Sequence, residues 1–280
     1  MKKSISYWSF PSDLTLAECF ALAKKAGFQA VEVALPSGKN EITLESQRGD
    51  LLKVKEEAEK AGIELSSLAT GLFWDFSLTS NDPATRAKAK EIVAKMLEFA
   101  SYLEVDTILV VPGAVDVFFK PESEVVAYDL AYERALSTMK ELAPVAERYR
   151  VNIGIENVWN KFLLSPLEMR DFIDRVGSSW VGAYFDVGNT VLTGYPEQWI
   201  RILGKRIKKV HLKDFRASVG NVSGFVDLLE GDVNWKEVIT ALKEIGYDGY
   251  LTAEMMPLYK ADKTALIYQT SRALDFILNL

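Results

Sequence analysis

The segment VNIGIENVWNKFLLSPLEMRDFIDRVGSSWVGAYFDVGN, residues 151–189, contains two short apolar runs separated by an amphipathic stretch. The runs VNIGIEN and VGAYFDVGN have the length and the composition of buried strands. Between them, SPLEMRDFIDRVG places Glu168 three residues after Ser165, the pattern of a capping box at the start of a helix. Because strands joined by a crossover helix lie parallel, the segment predicts a parallel strand–helix–strand unit.

The same alternation of apolar runs and amphipathic stretches fills the rest of the chain. Strands are predicted at Ser4–Trp8, 28–35, Ile63–Ala69, 105–113, 151–157, 181–189, 207–212 and within 247–255. Helices are predicted from about Leu14, over Leu44–Ala61, 81–103, Val125–Arg150, 165–177, Pro196–Leu203 and 234–246, and from about Lys263. Ser12 or Asp13 is the expected N-cap of the first helix, and Gly27 is its expected stop.

Eight strands, each followed by a helix, are the repeat pattern of a (β/α)8 TIM barrel, and 280 residues is close to the usual length of that fold. Short, continuous apolar strands also agree with a parallel sheet covered by helices. An open doubly wound sheet is the alternative, but no glycine-rich phosphate loop follows the first strand. We therefore predict an α/β protein with a single TIM barrel domain over residues 1–280.

Composition and charge exclude several classes of protein. The net charge of −6 and the pI near 5.1 argue against a general nucleic-acid or membrane-surface partner. The single cysteine, Cys19, cannot form an internal disulfide, which fits a reducing compartment. The N-terminal residues MKKSISYWSF lack the apolar run of a signal peptide, and no stretch has the length of a membrane span. A cytoplasmic protein is expected.

Four consecutive predicted strands each end in a side chain of a type that binds metals. Glu156 ends the fifth strand, Asp186 the sixth and Glu254 the eighth, while His211, the only histidine, lies near the end of the seventh. The carboxyl ends of barrel strands meet at one rim, so we expect these four side chains to lie close together. A lone acidic residue at a strand end usually caps a helix or faces solvent, but four at matching positions favour a shared site.

The residue types in this group indicate a divalent cation. Three carboxylates around one point would repel each other, and a bound cation would remove that repulsion. Three carboxylate oxygens and one imidazole nitrogen, with positions left open for water or substrate, suit Mn²⁺ or Mg²⁺. A structural zinc site would require cysteines, which are missing from these strands.

The motifs GIENVWNKF, FDVGN, VHLKD and LTAE, in this order, resemble the xylose-isomerase-like TIM barrels of the sugar phosphate isomerase/epimerase family. The chain is most similar to the ketose 3-epimerases, which include D-tagatose/D-psicose 3-epimerases and L-ribulose/L-xylulose 5-phosphate 3-epimerases. The resemblance implies that Glu156, Asp186, His211 and Glu254 hold one divalent metal ion. Mn²⁺ is the first choice, with Mg²⁺, Co²⁺ and Zn²⁺ as alternatives.

The same resemblance implies that Glu156 and Glu254 are the catalytic acid/base pair. They would invert C3 of a ketose or ketose phosphate by proton transfer through an enediolate. Inversion requires proton removal from one face of the sugar and return to the other, so two carboxylates are needed. The predicted substrate-binding residues are Arg216, Lys213, Glu230, Asn189, Trp8 and Trp74. Trp8 and Trp74 would form an apolar wall against the sugar, although packing of the loops is a simpler explanation for both.

Other activities of the same scaffold remain open. An aldose–ketose sugar isomerase is the first alternative, and a polyol dehydratase using the same metal site is the second. A metal-dependent endonuclease of abasic DNA is disfavoured, because the chain is acidic and has one histidine. The expected partner is a small-molecule sugar or sugar phosphate, without nucleic acid or membrane. A homodimer or homotetramer is an open alternative to a monomer.

Overall fold

The strands of the computed structural model form a closed parallel barrel with one added hairpin. The structure describes residues 1–117, 119, 120, 122–256 and 258–280. Its strands are β1 (Lys2–Ser6), β2 (Ala30–Leu35), β3 (Glu64–Thr70), β4 (Thr107–Val110), β5 (Asn152–Glu156), β6 (Val181–Asp186), β7 (Ile207–Leu212), β8 (Asp214–Phe215), β9 (Phe225–Val226) and β10 (Tyr250–Ala253). From β1 to β7 each strand pairs with the next, and β10 closes the barrel between β7 and β1. The (β/α)8 prediction is confirmed.

The helices form the outer layer. They are α1 (Leu16–Ala26), α2 (Arg48–Ala61), α3 (Pro83–Leu103), α4 (Tyr128–Tyr149), α5 (Pro166–Val176), α6 (Pro196–Leu203), α7 (Trp235–Glu244) and α8 (Lys263–Leu278). Each packs an apolar stripe against the barrel, as α5 does with Met169, Phe172, Ile173 and Val176 at helical spacing. No helix within the described part of the chain has both the length and the apolar character needed to cross a membrane.

The start of α1 differs from the prediction. Thr15, and not Ser12 or Asp13, is the N-cap, because its side chain accepts a hydrogen bond from the backbone N–H of Glu18, and the Glu18 carboxylate accepts one from the backbone N–H of Thr15. This reciprocal pair satisfies two of the free N–H groups at the helix start. Gly27 ends the helix as predicted, with a φ of 94° that favours glycine.

The long segment after β7 is folded around one buried carboxylate. Asp214 accepts hydrogen bonds from the backbone N–H of Leu229 at 2.9 Å and of Val233 at 3.2 Å, and from the indole N–H of Trp235 at 2.9 Å. A Cβ on Gly231 would lie 2.1 Å from Asp214 Oδ1, so only glycine fits there. The antiparallel hairpin of β8 and β9, which the sequence did not predict, is part of this loop.

We expect Asp214→Asn to loosen this loop. An amide replaces one acceptor oxygen with an N–H₂ group that faces existing donors, and each unpaired buried donor costs about 1–3 kcal/mol. Hydrogen exchange should therefore accelerate over residues 215–235, and the free energy of unfolding should fall by a similar amount. Asp232→Asn is the control, because Asp232 is exposed and accepts only one backbone hydrogen bond, from Ala217. Equal exchange rates in both variants would contradict the prediction.

Candidate metal centre

Four strands of the barrel bring four candidate ligands to one buried point. Glu156 ends β5, Asp186 ends β6, His211 is the fifth residue of β7, and Glu254 follows β10 directly. One ligand atom from each lies within 4.8 Å of the others, and all four residues are buried. The predicted convergence of these side chains is therefore present in the structure.

The imidazole of His211 presents Nδ1 to the three carboxylates. Nδ1 is 3.0 Å from Glu254 Oε2, 3.6 Å from Glu156 Oε1 and 3.9 Å from Asp186 Oδ2. Despite the short distance to Glu254, this buried nitrogen makes no hydrogen bond of acceptable geometry with any residue that the structure describes. A buried polar atom without a partner is costly in a folded protein, so Nδ1 fits the role of a metal ligand.

The donor set agrees with that role. Carboxylate oxygens together with one imidazole nitrogen suit divalent cations such as Mn²⁺, Mg²⁺ and Zn²⁺. Three carboxylates this close also need positive charge to offset their repulsion. The buried group of Glu156, Asp186, His211 and Glu254 therefore indicates a divalent-metal site.

Lys213 is the nearest side-chain cation to this group. Its Nζ lies 2.7 Å from Asp186 Oδ2 and 2.7 Å from Glu254 Oε2, and the side chain is buried. Burial alone would lower the pKa of Lys213, but the adjacent carboxylates of Asp186 and Glu254 outweigh burial and raise it. The Lys213 ammonium therefore contacts the same two oxygens, Asp186 Oδ2 and Glu254 Oε2, that face His211 Nδ1.

The two glutamates have opposite pKa shifts. Burial raises the pKa of Glu156 above its usual range. Burial acts in the same direction on Glu254, but Lys213 and His211 outweigh it and lower the pKa of Glu254 to about 2. Paired carboxyl groups with separated pKa values are typical of acid/base sites, where one is ionised and the other holds a proton.

Asn189 holds the turn after β6. Its side-chain N–H₂ donates to the backbone carbonyl of Asn157 at 3.0 Å, and its backbone N–H donates to Asp186 Oδ1 at 2.9 Å. The backbone carbonyl of Asn189 accepts a hydrogen bond from the indole N–H of Trp159 at 2.9 Å. Because Asp186 Oδ1 is occupied in this way, Oδ2 is the oxygen directed at the other ligands.

The other predicted substrate residues lie around the rim. Arg216 and Glu230 are close to each other on the loop after β7, with NH2 and Oε2 3.6 Å apart and both side chains about half exposed. Trp8 and Trp74 are half-buried in short 3-10 turns after β1 and β3. The Trp74 ring packs edge-on against Phe119 with centroids 5.0 Å apart.

Glu32 is the residue of this site that the sequence analysis missed. It lies within the apolar strand β2 (AVEVAL), is fully buried, and places Oε1 2.9 Å from His211 Nε2. A charged residue inside an otherwise apolar strand was the available signal, because such residues are rarely fully buried without a partner. Glu32 lies three residues before the end of β2, whereas the four predicted ligands lie at or near the ends of their strands.

Comparisons with known proteins give the same scaffold. A protein of Methanocaldococcus jannaschii, the uncharacterized protein MJ1311, is 28% identical over 199 residues, covering 69% of this chain and 65% of that protein. L-ribulose-5-phosphate 3-epimerase UlaE of Escherichia coli (strain SMS-3-5 / SECEC) is 25% identical over 283 aligned positions, covering 99% of this chain and 95% of the relative.

Solved structures superpose over the full barrel. The crystal structure of D-psicose 3-epimerase in the presence of D-fructose covers 100% of both chains, with a TM-score of 0.83 and 22% identity. The crystal structure of IOLI protein with a binding zinc atom covers 100% of this chain and 98% of that chain, with a TM-score of 0.80 and 19% identity. A family model described as xylose isomerase-like TIM barrel matches residues 20–274. With most of its length matched by that model, the chain belongs to the xylose isomerase-like TIM barrel family.

Proposed function

We propose that this protein is a divalent-metal-dependent epimerase that inverts C3 of a ketose or ketose phosphate. The observation that carries the proposal is the pair of buried glutamates, Glu156 at the end of β5 and Glu254 directly after β10, which meet within one metal-type ligand group. The family supports a sugar isomerase or epimerase, and two of the similar proteins, an L-ribulose-5-phosphate 3-epimerase and a D-psicose 3-epimerase, are named for reaction at C3.

The metal would be held by Glu156, Asp186, His211 and Glu254. Mn²⁺ is our first choice, and Mg²⁺, Co²⁺ and Zn²⁺ are alternatives. The zinc atom bound by the similar IOLI protein supports a divalent ion. When bound, the ion would supply a Lewis acid that stabilises the negative charge developing on the substrate oxygens. Lys213, beside the same carboxylates, would add a second positive charge to the site.

The two glutamates would move the protons. The C3 proton of a ketose is acidic because C3 adjoins the carbonyl carbon. One of the two glutamates would accept this proton as a carboxylate, and the other, from a separate strand, would donate one to the opposite face. The roles exchange in the reverse direction, and solvent restores both protonation states between turnovers.

The remaining assignments concern substrate binding and context. Contacts to the sugar are proposed for Lys213, Arg216, Glu230, Asn189, Trp8 and Trp74, with Lys213 the cation closest to the catalytic group. A single domain over residues 1–280, acting in the cytoplasm on a small sugar or sugar phosphate without nucleic acid or membrane, is part of the proposal. Assembly as a dimer or tetramer stays a prediction.

The first test removes the metal. Treatment with a chelator should stop activity, and Mn²⁺ should restore it. His211→Ala should weaken metal binding by about 100-fold or more, since effects of 10- to 100-fold follow even from changes beyond the ligands themselves. Metal content by mass spectrometry and affinity by calorimetry would measure this loss, with circular dichroism showing an intact fold. Full metal content in the alanine variant would overturn the site assignment.

The second test locates the exchanged proton. In deuterated water, a 3-epimerase places deuterium at C3 of its product, whereas an aldose–ketose isomerase exchanges protons at C1 or C2. Glu156→Gln and Glu254→Gln should each abolish net epimerisation, and metal content must be measured on the same samples, because glutamine is a poorer ligand. A variant that keeps its metal and still exchanges C3 of the substrate identifies the remaining glutamate as the base for that face. Exchange at C1 without exchange at C3 would replace the epimerase with the isomerase.

The third test asks whether the Lys213 ammonium and the metal ion compete for the same carboxylate oxygens. Lys213→Met should lower the melting temperature of the chelator-treated protein, because breaking a buried ion pair costs about 3–5 kcal/mol. It should also enlarge the rise in melting temperature on adding Mn²⁺, because the ion no longer shares two carboxylate oxygens with an ammonium.

Lys209→Met is the matched control for this test. Lys209 is buried on β7, the strand that Lys213 directly follows, and it pairs with Asp106 at 2.8 Å, away from the ligand group. It should lower the melting temperature without changing the response to Mn²⁺. An unchanged response in the Lys213 variant would show that the ammonium and the ion do not compete.

A further inference from the structure

Glu32 is a buried charge that the proton-transfer scheme does not use. It is fully buried within β2, where an unpaired carboxylate would be strongly destabilising. Neither oxygen lies among the ligand atoms of the candidate metal group. Its position therefore calls for a function other than direct metal binding.

The two oxygens of Glu32 have separate partners. Oε1 lies 2.9 Å from His211 Nε2. Oε2 accepts a hydrogen bond from the Ser67 hydroxyl at 2.8 Å and another from the Tyr184 hydroxyl. Two hydroxyl donors on one oxygen and a ring nitrogen against the other are the surroundings that a buried ionised carboxylate needs. A carboxylate only accepts hydrogen bonds, so His211 must be the donor.

The barrel supplies these partners from separate strands. The register between β2 and β3 shifts by one residue between Val31 and Val33, opposite Glu32, and Ser67 turns inward at this bulge. Tyr184 lies two residues before Asp186 on β6 and therefore faces the same side of the strand. Its ring packs against the His211 imidazole with centroids 4.6 Å apart. Both the histidine and its carboxylate partner are thus held in place from across the barrel.

A neutral imidazole carries one N–H group and one lone pair, and the partner of the N–H decides which nitrogen can bind a metal. We propose that Glu32 is a positioning residue that keeps the proton of His211 on Nε2 and so commits Nδ1 to the divalent ion. The inference rests on the metal site of the proposed function, but it does not depend on which sugar reaction the site performs. Nδ1 already faces the three carboxylates, and among the described residues no hydrogen bond occupies it.

The chain allows a direct test because it contains one histidine. Protein labelled with ¹⁵N-histidine and loaded with Zn²⁺, which is diamagnetic, gives two ring nitrogen signals without overlap from other residues. Couplings to the ring hydrogens distinguish the signals, since Nε2 couples to both Hε1 and Hδ2. We expect a proton on Nε2 and none on Nδ1, with Zn²⁺ shifting the Nδ1 signal. A protonated Nδ1 with the ion on Nε2 would overturn the inference while leaving a metal site in place.

Variants show whether Glu32 is the cause. Glu32→Gln keeps the size of the side chain and should weaken Zn²⁺ binding by about 10- to 100-fold, the usual effect of losing such a partner. Glu32→Leu removes the acceptor altogether, so Nε2–H should lose its hydrogen-bonded chemical shift. Ser67→Ala is the matched control, because it removes one bond to Oε2 and leaves the bond from His211 to Oε1 in place. Ser67→Ala should therefore reduce Zn²⁺ affinity less than Glu32→Gln does.

The outcomes separate this inference from the proposed function. Wild-type Zn²⁺ affinity in a folded Glu32→Gln protein would overturn the role of Glu32, whatever the activity. If Zn²⁺ shifts neither nitrogen of the wild-type protein, both the metal site and the inference fail. If Nδ1 binds Zn²⁺ but no ketose is epimerised with any divalent ion, the inference stands and the proposed reaction is wrong. The NMR experiment on the wild-type protein needs no variant, so a misfolded Glu32 protein would not prevent the test.

Discussion

Repulsion among three buried carboxylates is the constraint on which the rest of the rim depends. Glu156, Asp186 and Glu254 come from separate strands, yet their ligand atoms lie within 4.8 Å of each other and of His211 Nδ1. Burial makes this repulsion stronger, because water cannot screen the charges. The Lys213 ammonium supplies part of the positive charge that such a group needs. A divalent ion would supply the rest, which explains why three acidic side chains and one imidazole are buried together at this point.

Hydrogen bonds from the surrounding scaffold orient two of the four ligands, Asp186 and His211. Asn189 occupies one oxygen of Asp186 and leaves the other for the site. Glu32 accepts from one nitrogen of His211 and leaves the other for the site. In both cases a neighbouring group forms a hydrogen bond with the ligand atom that faces away from the candidate metal site. Ligands that are already fixed in orientation lower the entropy lost on binding an ion.

Loops after β5, β6 and β7 form one connected side of the barrel mouth. The rings of Trp159, Phe215 and Phe225 pack together with centroids 5.0 to 5.3 Å apart, and the Trp159 indole bonds to the turn after β6. The buried Asp214 organises the loop that carries Phe215 and Phe225. The side of the mouth that holds Glu156 and Asp186 is therefore tied together by ring packing and hydrogen bonds between its three loops.

The sequence by itself determined the barrel, most of its strands, and the four residues that meet at the rim. These follow from local patterns, because the spacing of apolar residues, the helix caps and the strand ends each depend on residues that are close together in the sequence. Only the tertiary structure decided that Glu32 bonds to His211 across the barrel, that Lys213 bridges Asp186 and Glu254, and that the segment after β7 forms a hairpin around Asp214. Those contacts join residues 10 to 179 positions apart or depend on the direction of a side chain, and neither property is contained in a local pattern.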